Sequence, residues 1–242
     1  MPNNLTQIKK VISKAGNPAR AKSSEWFFKT GKGQYGYGDI FIGIIVPEQR
    51  KIANQFFKVI TLSEVSKLLK SKIHEERFIA LEILVMKYNS GNPKEQKQII
   101  DLYLKFTKYV NNWDLVDTSA SYLLGAYLFK KPRAVLYKLA KSKNLWEKRI
   151  AIVATYYFIG QKDYADTIKI SKILLNDDHD LIHKAVGWML REVGKRDLKT
   201  EIKFLDEFTL QMPRTMLRYA IERFPEKLRL KYLKKEIKKT PH

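Results

Sequence analysis

What most constrains this chain is the spacing of its apolar residues, which repeats with the period of an α-helix and almost nowhere with that of a strand. From Ile150, the residues Val153, Ala154, Tyr157 and Phe158 follow at i+3, i+4, i+7 and i+8, one face of a helix. Ile182, Ala185, Val186, Met189 and Val193 repeat the pattern. Segment 77–88 (RFIALEILVMKY) is apolar nearly all round, which predicts an interior helix. The run 40–46 (IFIGIIV) has the make-up of a buried strand but no partner strand, and reads as a packed connection. Helix breaks fall at Gly91-Asn92-Pro93, Pro132, Asn176-Asp177-Asp178 and Pro213.

A longer, fainter period lies over the short one. Arg77, Arg149, Lys184 and Arg218 each sit in an apolar helical segment, 72, 35 and 34 residues apart. The doubled gap contains Trp113-Asp114, which starts another helix. Helix pairs repeating near every 35 residues predict an all-α, HEAT-like helical-repeat solenoid. No low-complexity linker divides the chain, so a single domain over 1–242 is expected. Its last part, 227–240 (KLRLKYLKKEIKKT), carries seven bases and one acid and predicts a basic amphipathic helix and tail.

Charge narrows the partners. Lys plus Arg number 46 against 25 Asp plus Glu, a formal +21. Such an excess points to polyanions, nucleic acid first. Lysine-rich composition is the bland alternative, since 35 of the bases are Lys, but it does not account for so few acids. The bases are spread along the chain rather than massed on one amphipathic segment, which disfavours a membrane surface. The concave face of the solenoid is therefore expected to be basic. Zero cysteines exclude disulfides, thiolate zinc sites, iron–sulfur clusters and Cys nucleophiles. The longest apolar run has seven residues, far below the roughly 20 that span a bilayer. The first residues lack the apolar core of a signal peptide, so a cytoplasmic protein, taken as a monomer, is the expectation.

Three groups of residues carry possible chemistry. On helix 181–193, Lys184, Trp188 and Arg191 stand at i, i+4 and i+7, opposite the apolar stripe. A tryptophan between two cations suits a nucleic-acid groove; burial of both faces by neighbouring helices would account for it equally. In the second group, Asn112 is a candidate N-cap, with Asp114 favourable in the first turn. Trp113 and Asp117 are i and i+4, neighbours on one surface. Asp117 borders the Val116/Ala120/Leu123 stripe and is either a structural ion-pair partner or poised for catalysis. Arg149, at the edge of an apolar face one period later, suits a salt bridge to an aspartate. The third group, His179 and His183, has i,i+4 metal spacing, but no third ligand follows by spacing and both read as structural. The glycines 31, 33, 36 and 38, interleaved with Tyr35 and Tyr37, match neither a P-loop nor a dinucleotide fingerprint.

The blocks FFKTGKGQYGYGDIFIGIIVPEQR, NNWDLVD, NLWEKRIAIVA, LLNDDHDLIHKAVGWMLREVGKRD and MPRTMLRYAIERF resemble, in order, those of the AlkD-type DNA alkylation repair enzymes, from about Trp26 to Phe224. That resemblance implies a HEAT-like DNA glycosylase that excises alkylated purines. The positive charge of an N3- or N7-alkylpurine makes it a good leaving group, so such cationic bases in duplex DNA are the expected substrate, and the absence of a metal or nucleotide motif gives the expectation of no cofactor and no metal. The resemblance implies that Trp113, Asp117 and Arg149 form the catalytic cluster. It places Trp188 and Arg191 beside the lesion-bearing strand, and Lys184, from the wheel of the same helix, is expected to bind DNA with them. One departure is Ile45, where an Arg is expected. The rival reading is a non-catalytic HEAT-repeat binder or scaffold, which gives no reason for Asp117 beside Trp113.

Overall fold

The structure is a computed structural model and describes residues 3–234. It is all-α, as the periodicity predicts. Among the described residues the one extended pairing is an isolated parallel bridge between Ile40 and Ile73. The chain forms two compact units, Met1–Tyr127 and Leu128–His242.

The first unit contains α1 (Asn4–Ala15), α2 (Pro18–Phe27), α3 (Val46–Phe56), α4 (Leu62–Leu69), α5 (His74–Ser90), α6 (Pro93–Lys105) and α7 (Trp113–Asp117). A π-helical turn, Ser121–Gly125, then runs into α8 (Ala126–Leu128), where the first unit gives way to the second. The second contains α9 (Ala134–Ala140), α10 (Leu145–Ala154), α11 (Tyr156–Gly160), α12 (Ala165–Ile173), α13 (Asp180–Gly194), α14 (Leu198–Phe208), α15 (Arg214–Ala220) and α16 (Glu226–Leu233). No described helix is long and apolar enough to cross a membrane. The basic segment 227–240 begins in α16; its residues from 235 lie outside the described ones.

Each unit is built around one long helix. Helix α5 packs against α1, α3, α4, α6, α7 and the π turn, so every residue from His74 to Leu84 is buried. Surrounded this way, it needs no polar face, which is why its sequence is apolar all round. Helix α13 holds the same position in the second unit, against α10, α11, α12, α14 and α15. Its stripe Ile182, Val186, Met189 and Val193 is fully buried. Each such side chain contributes roughly 1.5–3 kcal/mol, a sizeable share of a typical domain's stability.

The punctuation acts as the sequence indicates. Gly91 ends α5, Asn92 caps α6 in a capping box with Glu95, and Pro93 takes the first helical position. The run 40–46 is an extended connection: the Ile40 amide donates to the Lys72 carbonyl at 3.1 Å, and Phe41 and Ile44 point into the core. The Glu75 carboxylate fixes this connection by accepting the Ile42, Gly43 and Ile44 amides at 2.7–3.3 Å. Gly43 has φ +82°, and a Cβ there would lie 2.2 Å from the Asn17 carbonyl oxygen. Only glycine lets the connection approach the start of α2 so closely.

Candidate functional site

Asn112 caps α7 as its sequence suggests, its side chain accepting the Trp113 amide at 2.8 Å. Trp113 and Asp117, one turn apart, are both half-buried. The stripe beneath them, Val116, Ala120 and Leu123, is fully buried. Past Asp117 the helix loosens into the π turn, which leaves Tyr122 half exposed. Such wide turns recur near functional sites, because the extra residue re-aims the side chains around it.

Beneath α7 lies a buried ion cluster. His74 bridges two carboxylates, Nδ1 to Asp39 Oδ2 at 3.0 Å and Nε2 to Asp114 Oδ2 at 2.8 Å. Arg77 reaches Asp39 Oδ1 at 2.7 Å and donates to the Ser71 carbonyl at 2.9 Å. Two cations thus meet two carboxylates. Burial opposes charge on His74, but Asp114 and Asp39 outweigh it and hold the imidazole above its ordinary pKa. Burial likewise opposes charge on Asp39, yet the His74 hydrogen bond and the Arg77 charge keep its carboxyl below the usual range. Asp114 therefore does more than favour the helix dipole: it ties the first turn of α7 to the core.

An aromatic column rises from the same cluster. Phe41 stacks on His74 with centroids 4.4 Å apart, Phe28 on Phe41 at 4.9 Å, and Trp113 on Phe28 at 5.3 Å, while Phe27 meets Trp113 edge-on at 5.9 Å. Two constraints thus fix the Trp113 ring, its helix through Asp114 and its face through Phe28. Beside the column is a cleft of about 310 Å³, lined in part by Arg20, Phe28, Ile45, His74 and Asp114. Ile45 is half exposed at this cleft, so the position where an Arg is expected presents an alkyl group.

In the second unit, Arg149 is buried and donates through Nη1 to the Leu181 carbonyl at 2.7 Å, in the first turn of α13. Arg77, its counterpart in the long repeat, is buried in the same manner; Arg218 is exposed. On α13, Trp188 is half-buried against Tyr156, centroids 5.8 Å apart. The two cations of that face have acidic partners. Arg191 pairs with Glu222, and Lys184 with Asp180 at 2.7 Å. His179 caps α13, its Nδ1 accepting the Leu181 amide at 3.1 Å, and His183 bonds the Asp177 carbonyl. Both histidines therefore hold the 176–183 turn together.

Sequence reasoning took Arg77 only as a mark of the long period and missed the cluster it forms with His74 and Asp39. Nothing in local spacing joins position 39 to positions 74 and 114. The signal present was four charged residues in a row, His74-Glu75-Glu76-Arg77, opening a helix that is otherwise apolar nearly all round. Charges that enter a core must be paired.

An all-α protein with an aromatic and acidic cluster on α7 is the class that fold and site define. The model of the DNA alkylation repair enzyme family matches residues 8–224, and the chain belongs to that family. Its fold is similar to that of a predicted DNA alkylation repair enzyme from Enterococcus faecalis, at 17% identity and a TM-score of 0.67, covering 87% of this chain and 97% of that one. It is also similar to AlkD2 from Streptococcus mutans, at 17% identity and a TM-score of 0.54, covering 85% and 97%. The protein smu.31 from Streptococcus mutans UA159 has the same identity and TM-score over 75% and 93%. Among curated proteins, none matches the sequence.

Proposed function

We propose that the chain is a DNA glycosylase that hydrolyses the N-glycosidic bond of cationic N3- or N7-alkylpurines in duplex DNA. The observation that carries this reading is Asp117, half-buried one turn beyond Trp113 on a helix anchored by the buried His74–Asp114 pair. A solvated, mobile carboxylate would offer little. One on a helix fixed to the core, a turn beyond an indole, presents negative charge to an electron-poor sugar.

Alkylation at N3 or N7 gives the base a positive charge, so it leaves as a neutral purine without a general acid. The C1′–N bond breaks with its electron pair going to the base, and positive charge develops on the deoxyribose. Asp117 opposes that charge and accepts a proton from the water that attacks C1′. A carboxylate about 4 Å from unit charge is worth ~4 kcal/mol at an effective dielectric of 20, about three decades in rate. That suffices for a bond already weakened and not for a neutral base. Trp113 offers a π face to the cation.

Release of free 7-methylguanine from methylated duplex DNA tests the proposal. Excision that continues in the presence of chelator, with no cleavage of uracil or hypoxanthine, is the expected result. Specific DNA binding without base release would instead favour the non-catalytic binder, for which Ile45 in place of an Arg is the supporting observation.

A further inference from the structure

Helix α2 buries none of its residues. It is held at one end, where the Asn17 amide donates to the Ile42 carbonyl at 2.7 Å and Gly43 lies against the same turn. Its other face is open. Trp26 is 75% exposed and Phe27 54%. The two border a groove of about 750 Å³ whose remaining lining is Ala19, Lys22, Ser23 and Ser24. The Lys29 ammonium lies 4.7 Å from the Trp26 ring centroid, and Arg20, Lys22 and Lys32 are exposed. Between Lys14 and Gly38 the chain has five bases and one acid, Glu25.

An indole and a phenyl ring left in water on a helix with no core face mark a contact surface. The surrounding charge selects the partner. A second copy of the chain would bring the same cations and repel. A bilayer calls for an apolar face, yet α2 (PARAKSSEWF) has no Leu, Ile or Val. A flat π-face flanked by cations matches a nucleobase between its phosphates. Phe27 also runs this surface into the Trp113 column.

Building on the DNA-glycosylase reading above, we propose that Trp26 is a stacking platform for an unpaired DNA base, with Lys22 and Lys29 holding the adjoining phosphates. This subsite is distinct from the residues that act on the glycosidic bond. It favours DNA that is already locally unpaired over perfect duplex.

The test is fluorescence anisotropy with three labelled probes: a twelve-residue oligo-dT, a perfect duplex, and the same duplex carrying a two-nucleotide bulge. Trp26→Ala weakens binding to oligo-dT and bulged duplex about tenfold, leaves perfect duplex within about twofold, and leaves the melting temperature unchanged. Lys22→Ala lowers the slope of log affinity against log salt on oligo-dT by ~0.7, whereas Trp26→Ala does not alter it. Equal loss on all three probes, or no loss on any, overturns the proposal. So does Trp26-dependent sedimentation with phosphatidylserine vesicles, or a dimer that Trp26→Ala abolishes, with oligo-dT affinity unaffected in each case. If wild-type protein releases 7-methylguanine and Trp26→Ala changes nothing, the subsite alone falls. If wild-type protein binds none of the probes, the glycosylase reading falls with it.

Discussion

The two units bury carboxylates in opposite ways. In the first, Asp39 meets His74 and Arg77, and its pKa is lowered despite burial. In the second, Glu201 on α14 is 1% exposed, and its Oε1 makes no hydrogen bond. Its Oε2 presses on Gly194, where a Cβ would lie 1.6 Å away. The first-turn position favours its charge and Arg191 helps, but burial wins and pushes the Glu201 carboxyl up to about 8. The same desolvation acts on both groups, and partners decide its outcome. The first unit uses buried charge to fix α7, while the second carries an acid that favours the neutral form.

The largest effect should come from breaking this contrast at Glu201. Its folded pKa is raised, so its stability contribution is complete below the ordinary 4.5 and is lost as pH rises through about 8. The full difference is about 5 kcal/mol at most. Glu201→Gln should abolish most of that slope and raise the melting temperature at pH 9 while changing it little at pH 4.5. A mutant curve parallel to wild type would show that the carboxylate is solvated.

His74→Ala should cost about 3–5 kcal/mol, because the buried Asp39 and the half-buried Asp114 lose their shared cation. The pH signature is separate. Asp39's contribution is complete above 3.8 and lost as pH falls through its lowered value. That of His74 is complete below 6.5 and lost as pH rises through its raised value. In the Glu201→Gln background, which removes the slope above 4.5, urea melts from pH 3 to 9 should therefore show a plateau between about 4 and 6.5 followed by a decline that His74→Ala removes. Loss of stability with that decline intact would assign His74 to packing alone.

Asp117→Asn tests what the anchored helix is for. Single-turnover excision should fall by two to three decades, from the ~4 kcal/mol electrostatic figure, with duplex affinity unchanged or tighter. Joint loss of affinity and thermal stability would make Asp117 a structural partner, with no part in the chemistry.

Helices, breaks and caps were legible because they depend on neighbours within four residues. The pattern of α5 gave its burial, Asn112 its cap, and residues 40–46 their role as a connection. The wheel of α13 separated its buried stripe from the Trp188 face. It could not show that Glu222 pairs with Arg191, 31 residues away, whereas the i,i+4 pair of Asp180 and Lys184 lay within its reach. Nor could spacing join Asp39 to Asp114. Long-range ion pairs leave no period in a sequence, so Trp113 and Asp117 could be singled out as candidates while the cluster beneath them could not.

The smallest effect concerns those α13 cations. Arg191 is mostly covered, and its partner Glu222 is half exposed. A pair of this kind is worth about 0.2–1 kcal/mol, so Glu222→Gln should leave stability nearly unchanged. If Arg191 contacts a DNA phosphate, breaking its pair with Glu222 competes with binding, and Glu222→Gln should tighten duplex affinity by up to about fivefold. Removing any acid from a DNA-facing surface raises affinity somewhat, so the single variant does not decide the matter. The double-mutant cycle with Arg191→Ala does. A gain that disappears when Arg191 is absent runs through the guanidinium, and the pair is a resting position that DNA displaces. A gain that persists is a field effect, and Arg191 then belongs with Arg77 among the bases that hold the fold.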